Sequence, residues 1–160
     1  MVKNNLEAKA LKESAKLWST LIKMDEQEKL NDDIEWEYKA LIQYIQHASL
    51  IAGAQYDAIQ KELLIHATEE HNHAVLLSTQ IVSLGGSPSV KMKEVKVSKK
   101  SIEMLKQDLD GEIYAVERYK ERIYEAEQLR EYGLRRILED ILIQEEEHKR
   151  DLQNAIEQAK

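Results

Sequence analysis

The chain has 160 residues, a formal net charge of −7, 33% charged and 42% apolar residues, one proline, five glycines and no cysteine. That length suits one domain with one hydrophobic core, and the acidic balance argues against a nucleic-acid binder, because a phosphate backbone selects for positive surface. Without cysteine there are no disulfides, no thiolate-bound zinc, no iron–sulfur clusters and no thiol redox chemistry, which leaves carboxylate and imidazole for holding a metal.

Met1 to Lys9 carries no apolar signal-peptide core, and no run of about 18 apolar residues follows, so a cytoplasmic protein without membrane spans is expected. Helical periodicity dominates, and scarce glycine and proline allow long helices. Leu11, Ala15, Trp18 and Ile22 form an apolar stripe on a short N-terminal helix over about residues 5–24. Asn31-Asp32-Asp33 supplies helix-starting side chains, and a helix is expected over about 32–52 with Ile34, Leu41, Tyr44, Ile45 and Ala48 on its apolar face. Ala52-Gly53-Ala54 marks the next break. A helix over about 56–84 then stops at Gly85-Gly86-Ser87-Pro88. Lys91, Lys93, Lys96, Lys99 and Lys100 read as a solvated connector. Ser98 or Ser101 is expected to cap a helix over about 99–130, and a break near Tyr132-Gly133 precedes the last helix, about 133–158. Trp18 and Trp36 fit the packing of a bundle edge.

The thirteen residues from Gly85 to Val97 reach roughly 40 Å when extended, close to the length of a helix of about 30 residues. The expected fold is therefore all-α. It is a four-helix bundle with a long crossover between its second and third helices, the alternative being a long hairpin loop. Residues 1–30 form an N-terminal helical extension and residues 31–160 the bundle.

One internal period carries the chemistry. Glu37 and Glu112 are 75 residues apart, as are Glu70 and Glu145, and His73 and His148. Each half reads Asp-x3-Glu-x6-Tyr, from Asp33, Glu37 and Tyr44 and again from Asp108, Glu112 and Tyr119, followed by Glu-x-x-His. Residues i and i+3 share a helix face about 5–6 Å apart at Cβ, so each Glu-x-x-His grips one metal ion. Helix pairing then brings a lone Glu opposite each of these pairs. Four carboxylates in a core are prohibitive without cations, and two divalent ions neutralise them. Oxygen and nitrogen donors with open positions suit iron or manganese.

Asp33 and Asp108, one turn before their glutamates, are expected to accept the free ring N–H of the ligand histidines, or else to be ordinary helix N-terminal charge. Tyr44 and Tyr119 either hydrogen-bond ligand carboxylates, donate an electron during oxidation, or are plain core aromatics. His66 lies one turn before Glu70, but its repeat partner is Ile141; it is expected to be a bundle-end or supporting histidine, the alternative being an asymmetric extra ligand. His47 falls off the metal face and is expected to have no role.

Trp36-Glu37-Tyr38-Lys39-Ala40-Leu41-Ile42-Gln43-Tyr44-Ile45-Gln46-His47-Ala48 is similar to the first-helix signature of bacterioferritin. His73-Ala74 through Leu84-Gly85-Gly86-Ser87-Pro88 resembles its second-helix ending. Over about residues 30–158 the chain resembles the ferritin-like superfamily, nearest to bacterioferritin and the rubrerythrin group. The resemblance implies two Fe ions per chain, with Mn as the other candidate. Glu37 and Glu112 would be terminal ligands, Glu70 and Glu145 would bridge, and His73 and His148 would bind one ion each. His71 stands where bacterioferritin has its haem-ligating methionine, so haem is not expected. Twelve residues follow His148, too few for the fifth helix of 24-subunit cages, which favours a homo-oligomer as small as a dimer. The implied activity is oxidation of Fe(II) by O2 or H2O2, of ferroxidase or peroxidase type, with the electron donor unspecified. An iron-storage shell and a dimanganese catalase-like enzyme are the alternatives.

Overall fold

The structure is a computed structural model that describes the backbone of residues 2–159 and the side chains of residues 12, 13, 16, 17 and 24–159. It consists of α1 (Val2–Leu50), a 3-10 turn at Ala54–Tyr56, α2 (Asp57–Ser83), α3 (Ser101–Gln128) and α4 (Tyr132–Gln158), with no strand among the described residues. The stripe Leu11, Ala15, Trp18 and Ile22 lies outside the described side chains.

Two helices were expected before Gly53, and one continuous helix of 49 residues is found. No glycine or proline interrupts residues 2–52. The helix-starting side chains at 31–33 are engaged elsewhere. Asn31 donates to the Ser87 carbonyl and accepts from the Ser89 amide at 2.6 Å. Asp32 takes the Lys93 ammonium, and Asp33 pairs with Arg118 and Arg122. Tertiary partners thus remove the competition that Asn and Asp side chains offer to helical backbone. Bundle packing also begins earlier than residue 31, since Glu26 and Leu30 are already buried.

The helix ends follow local chemistry. At the end of α2 the Gly86 amide donates to the Ile81 carbonyl and the Gly85 amide to the Val82 carbonyl, both at 2.9 Å, with Gly85 at φ +87°. That is the Schellman closure, which needs a left-handed residue at its centre. The end of α3 repeats it through Glu131 to Ala126 and Arg130 to Glu127, with Arg130 at φ 59°. The break expected near Tyr132-Gly133 therefore falls at Arg130, and Gly133 lies inside α4. Neither expected serine caps α3. Ser101 hydroxyl bonds the Ala52 amide and carbonyl, and Ser98 accepts from the Lys100 amide.

α1 packs chiefly on α2, and α3 on α4. The connection between α2 and α3 lies against α1. Its hydrogen bonds run in order from Gln27–Leu84 through Asn31–Ser89, Glu35–Lys93 and Gln43–Lys96 to Ala52–Ser101. Two apolar clusters result. One joins Leu30, Ile34, Leu77, Ile81, Leu138 and Ile141; the other joins Ala48, Ile59, Leu63, Met104, Leu105 and Leu152. Each large aliphatic side chain buried there contributes about 1.5–3 kcal/mol. Within this bundle the chain also buries a set of carboxylates and imidazoles.

Candidate metal centre

Each helix supplies its share: Glu37 from α1, Glu70 and His73 from α2, Glu112 from α3, Glu145 and His148 from α4. All six are at most 2% exposed. Glu37, Glu70, His73 and Glu145 offer ligating atoms within 4.8 Å of one another, and so do Glu70, Glu112, Glu145 and His148. Glu70 and Glu145 belong to both groups. His73 Nδ1 lies 3.3, 3.2 and 3.1 Å from oxygens of Glu37, Glu70 and Glu145, and His148 Nδ1 lies 3.3 Å from Glu70. Glu70 Oε1, Glu112 Oε2, Glu145 Oε1 and His148 Nδ1 are buried without a hydrogen-bond partner. Orphaned atoms of this kind cost free energy unless a cation meets them, so the donor set fits a pair of metal ions.

The electrostatics show the same crowding. Burial and the neighbouring Glu37 charge push Glu70 up to about 7. Burial and Glu145 hold Glu112 well above the carboxylate range, and burial with Glu70 and Glu37 raises Glu145. Burial alone would depress the histidines, but the carboxylates around them reverse it, raising His148 to about 10 and His73 well above its usual value. In the absence of metal the cluster gathers protons where cations would otherwise be held.

The histidines are oriented from outside, though not by the aspartates. His73 Nε2 meets Gln144 Oε1 at 2.8 Å, His148 Nε2 meets Glu69 Oε2 at 2.8 Å, and Gln144 donates to Glu69 at 3.2 Å. These acceptors hold each Nε2 proton and turn each Nδ1 inward. The expectation that Asp33 and Asp108 do this is corrected. Asp33 is occupied by Arg118 at 2.8 Å and Arg122 at 2.9 Å, and Asp108 by His47 at 2.9 Å and Gln43 at 2.7 Å. The arginines draw both aspartate and Glu37 toward themselves, and in the other half the α1 side chains Gln43 and His47 reach Asp108 first. His47, expected to have no role, is fully buried, with its other nitrogen 3.1 Å from the Lys96 carbonyl.

Tyr44 and Tyr119 bond ligand carboxylates, each across the bundle. Tyr119 donates to Glu37 at 2.5 Å and Tyr44 to Glu112. Arg118 also donates to Glu37 at 2.9 Å. Sequence reasoning missed Arg118, Arg122, Gln43, Glu69 and Gln144. Their signal was the 75-residue period itself, which pairs Glu69 with Gln144, Gln43 with Arg118 and His47 with Arg122. His66 is buried with its ring stacked on His148, centroids 4.0 Å apart, and burial and the His148 charge lower it to about 3. His71 is exposed. A cavity of about 20 Å³ reaches the four carboxylates between α1 and α3 under Trp36, Lys39 and Gly111, room for about one water.

A family model described as a ferritin-like domain matches residues 27–160. The chain belongs to the ferritin-like family. It is 30% identical over 122 residues to a bacterioferritin of Brucella melitensis, covering 76% of each chain. Among solved structures, the ferritin-like diiron-carboxylate protein of Bacillus anthracis aligns with a TM-score of 0.81 at 28% identity, covering 84% of this chain and 97% of that one. The bacterioferritin-related dodecameric thioferritin of Bacteroides fragilis aligns with a TM-score of 0.79 at 30% identity, covering 90% and 92%. No described helix of this ferritin-like chain is long and apolar enough to cross a membrane.

Proposed function

We propose that this chain binds two Fe(II) ions among Glu37, Glu70, His73, Glu112, Glu145 and His148 and oxidises them with O2 or H2O2, in iron handling or protection from oxidants. The observation that carries this reading is the pair of four-residue groups that share Glu70 and Glu145. Glu37 and Glu112 would each hold one ion, Glu70 and Glu145 would be shared between the two, and each histidine would serve one. Bound there, the two Fe(II) ions would supply one electron each, the two electrons that with two protons turn hydrogen peroxide into two waters.

The rest is the work of the chain. Glu69 and Gln144 fix the imidazoles, Tyr44 and Tyr119 hold the terminal carboxylates, and the apolar clusters keep bulk water out. The small cavity under Trp36 and Gly111 reaches the four carboxylates and has room for about one water-sized molecule. Anaerobic titration with Fe(II), followed by separate additions of O2 and H2O2, tests the reading through metal stoichiometry and ferric absorbance. Two ions at the paired site and rapid oxidation by one oxidant are expected. Retention of both paired-site ions after Glu70→Ala or Glu145→Ala would overturn the bridging assignment. Manganese retained after aerobic purification, together with oxygen release from peroxide, would favour the dimanganese reading.

A homo-oligomer belongs to the same proposal. Ile42, Ile45, Leu64, Ile65, Val75 and Leu76 are exposed on α1 and α2, apolar side chains that a second copy could cover. The part of α1 before Glu26 is proposed to pack on a flank or a neighbouring subunit, in a cytoplasmic protein. Light scattering separates a dimer, at twice the 18.6 kDa chain mass, from a storage shell and from a dodecamer like that of the Bacteroides fragilis relative.

A further inference from the structure

Outside the paired site, α2 and α4 hold a second group of ligating side chains that the internal repeat does not explain. His66 is 1% exposed, yet neither ring nitrogen has a hydrogen-bond partner. A neutral imidazole carries one donor and one acceptor, and buried groups of this kind are normally satisfied. Its repeat counterpart is Ile141, so an imidazole is not demanded by the bundle at this level. Glu62 lies one turn before it on the same face of α2. From α4, Asp151 brings Oδ2 to 3.5 Å from His66 Nε2.

Glu62, His66 and Asp151 each offer a ligating atom within 4.8 Å of the other two. Ligands about 2.0–2.2 Å from one ion lie at most about 4.4 Å apart, so small rotations of the partly exposed Glu62 and Asp151 side chains bring the three atoms onto one ion. Glu62 and Asp151 line an open cleft of about 360 Å³ between α2 and α4, together with Glu147, and His66 lies behind them against His148. Glu69 is the other carboxylate near His66, but it is committed to His148 at 2.8 Å and to Gln144. The cleft-facing pair is what His66 has left.

We propose that Glu62, His66 and Asp151 form a third divalent-cation site, reached from the cleft between α2 and α4 and sharing no ligand with the paired site. Two carboxylates balance the two charges of the ion, and one imidazole nitrogen favours Fe2+, Mn2+, Co2+ or Zn2+ over Mg2+ and Ca2+, which prefer oxygen. Remaining coordination positions face the cleft and take water. The site does not need the paired site to be filled, although the stoichiometry expected for the intact chain includes it.

Anaerobic equilibrium dialysis of the full chain against Co2+, with bound metal counted and the visible Co2+ spectrum recorded, tests this. The intact chain should bind three ions. Glu62→Gln combined with Asp151→Asn, both on partly exposed side chains, should bind two and keep the spectrum of the paired site. Glu70→Ala combined with Glu145→Ala should keep one. An intact chain that binds one ion, lost in the Glu62/Asp151 variant, would uphold this site while sinking the paired one. Equal metal content in the intact chain and the Glu62/Asp151 variant would overturn the third site, whatever the Glu70/Glu145 variant does.

Discussion

The two halves of the candidate centre repeat the same carboxylates and imidazoles and surround them differently. Around Glu37, Asp33 binds Arg118 and Arg122, and Arg118 reaches on to the ligand itself at 2.9 Å. Around Glu112, the equivalent Asp108 binds Gln43 and His47 instead, and no guanidinium touches the ligand. The consequence is electrostatic. Burial opposes ionisation of both terminal glutamates, but hydrogen bonds from His73 and Glu70 and the charges of His73 and Arg118 hold Glu37 at about 2. Glu112, facing Glu145 with Tyr44 as its donor, stays well above the usual range. Equal burial and equal spacing therefore do not make equal ligands; the next layer of residues decides which one carries its charge readily.

The largest test of that difference is Arg118→Met. It takes a guanidinium from two buried carboxylates, and removing one partner of a buried ion pair costs about 3–5 kcal/mol, an upper bound here because Arg122 and Tyr119 remain, to be read by chemical denaturation. Gln43→Ala in the other half should cost about 1–3 kcal/mol, the scale of a buried hydrogen bond left unmade. Equal losses from the two variants would break the comparison.

Metal affinity is the next measure. Glu70, at about 7, and His148, at about 10, hold protons that a cation must displace. Affinity should fall as pH drops, by roughly tenfold per pH unit for each proton displaced. Competition with a chromophoric chelator at several pH values, together with proton release in two calorimetry buffers, would check it. A pH-independent affinity would refute the crowding that separates Glu112 from Glu37.

The two halves also differ at their helix ends. The same closure uses Gly85 after α2 and Arg130 after α3. A left-handed non-glycine residue costs about 1–2 kcal/mol, so Arg130→Gly should raise stability by up to about that amount in thermal unfolding, whereas Gly85→Ala should lower it.

A pH-dependent effect concerns Glu26, beside the arginine-rich half. Burial first, and then the Glu125 charge, raise it from 4.5 to about 7. Its folded form binds a proton that the unfolded chain releases between those values. Stability should therefore be full below pH 4.5 and decline as pH rises to about 7. Glu26→Gln should flatten that part of a pH–stability profile, and an unchanged slope would place the titration elsewhere.

Much of this was legible in the residues. The 75-residue period brought all six site residues to one place, because residues three apart share a helix face whatever surrounds them. Glycine at 85 ended α2 as local chemistry requires. The misreadings share one cause. Asn31-Asp32-Asp33 looked like a helix start, but its side chains found Ser89, Lys93 and the α3 arginines. Ser101 looked like a cap and bonded Ala52. Asp33 and Asp108 looked like partners of the histidines and were claimed by others.

By itself, then, the sequence determined the helical class, the inward-facing carboxylates and imidazoles, and the twofold repetition, since all three follow from spacing along a helix. Tertiary structure alone decided which short polar side chains act locally and which reach across, and hence that Glu37 carries its charge readily while Glu112 does not. Such choices depend on distances between helices, which spacing along one helix does not contain.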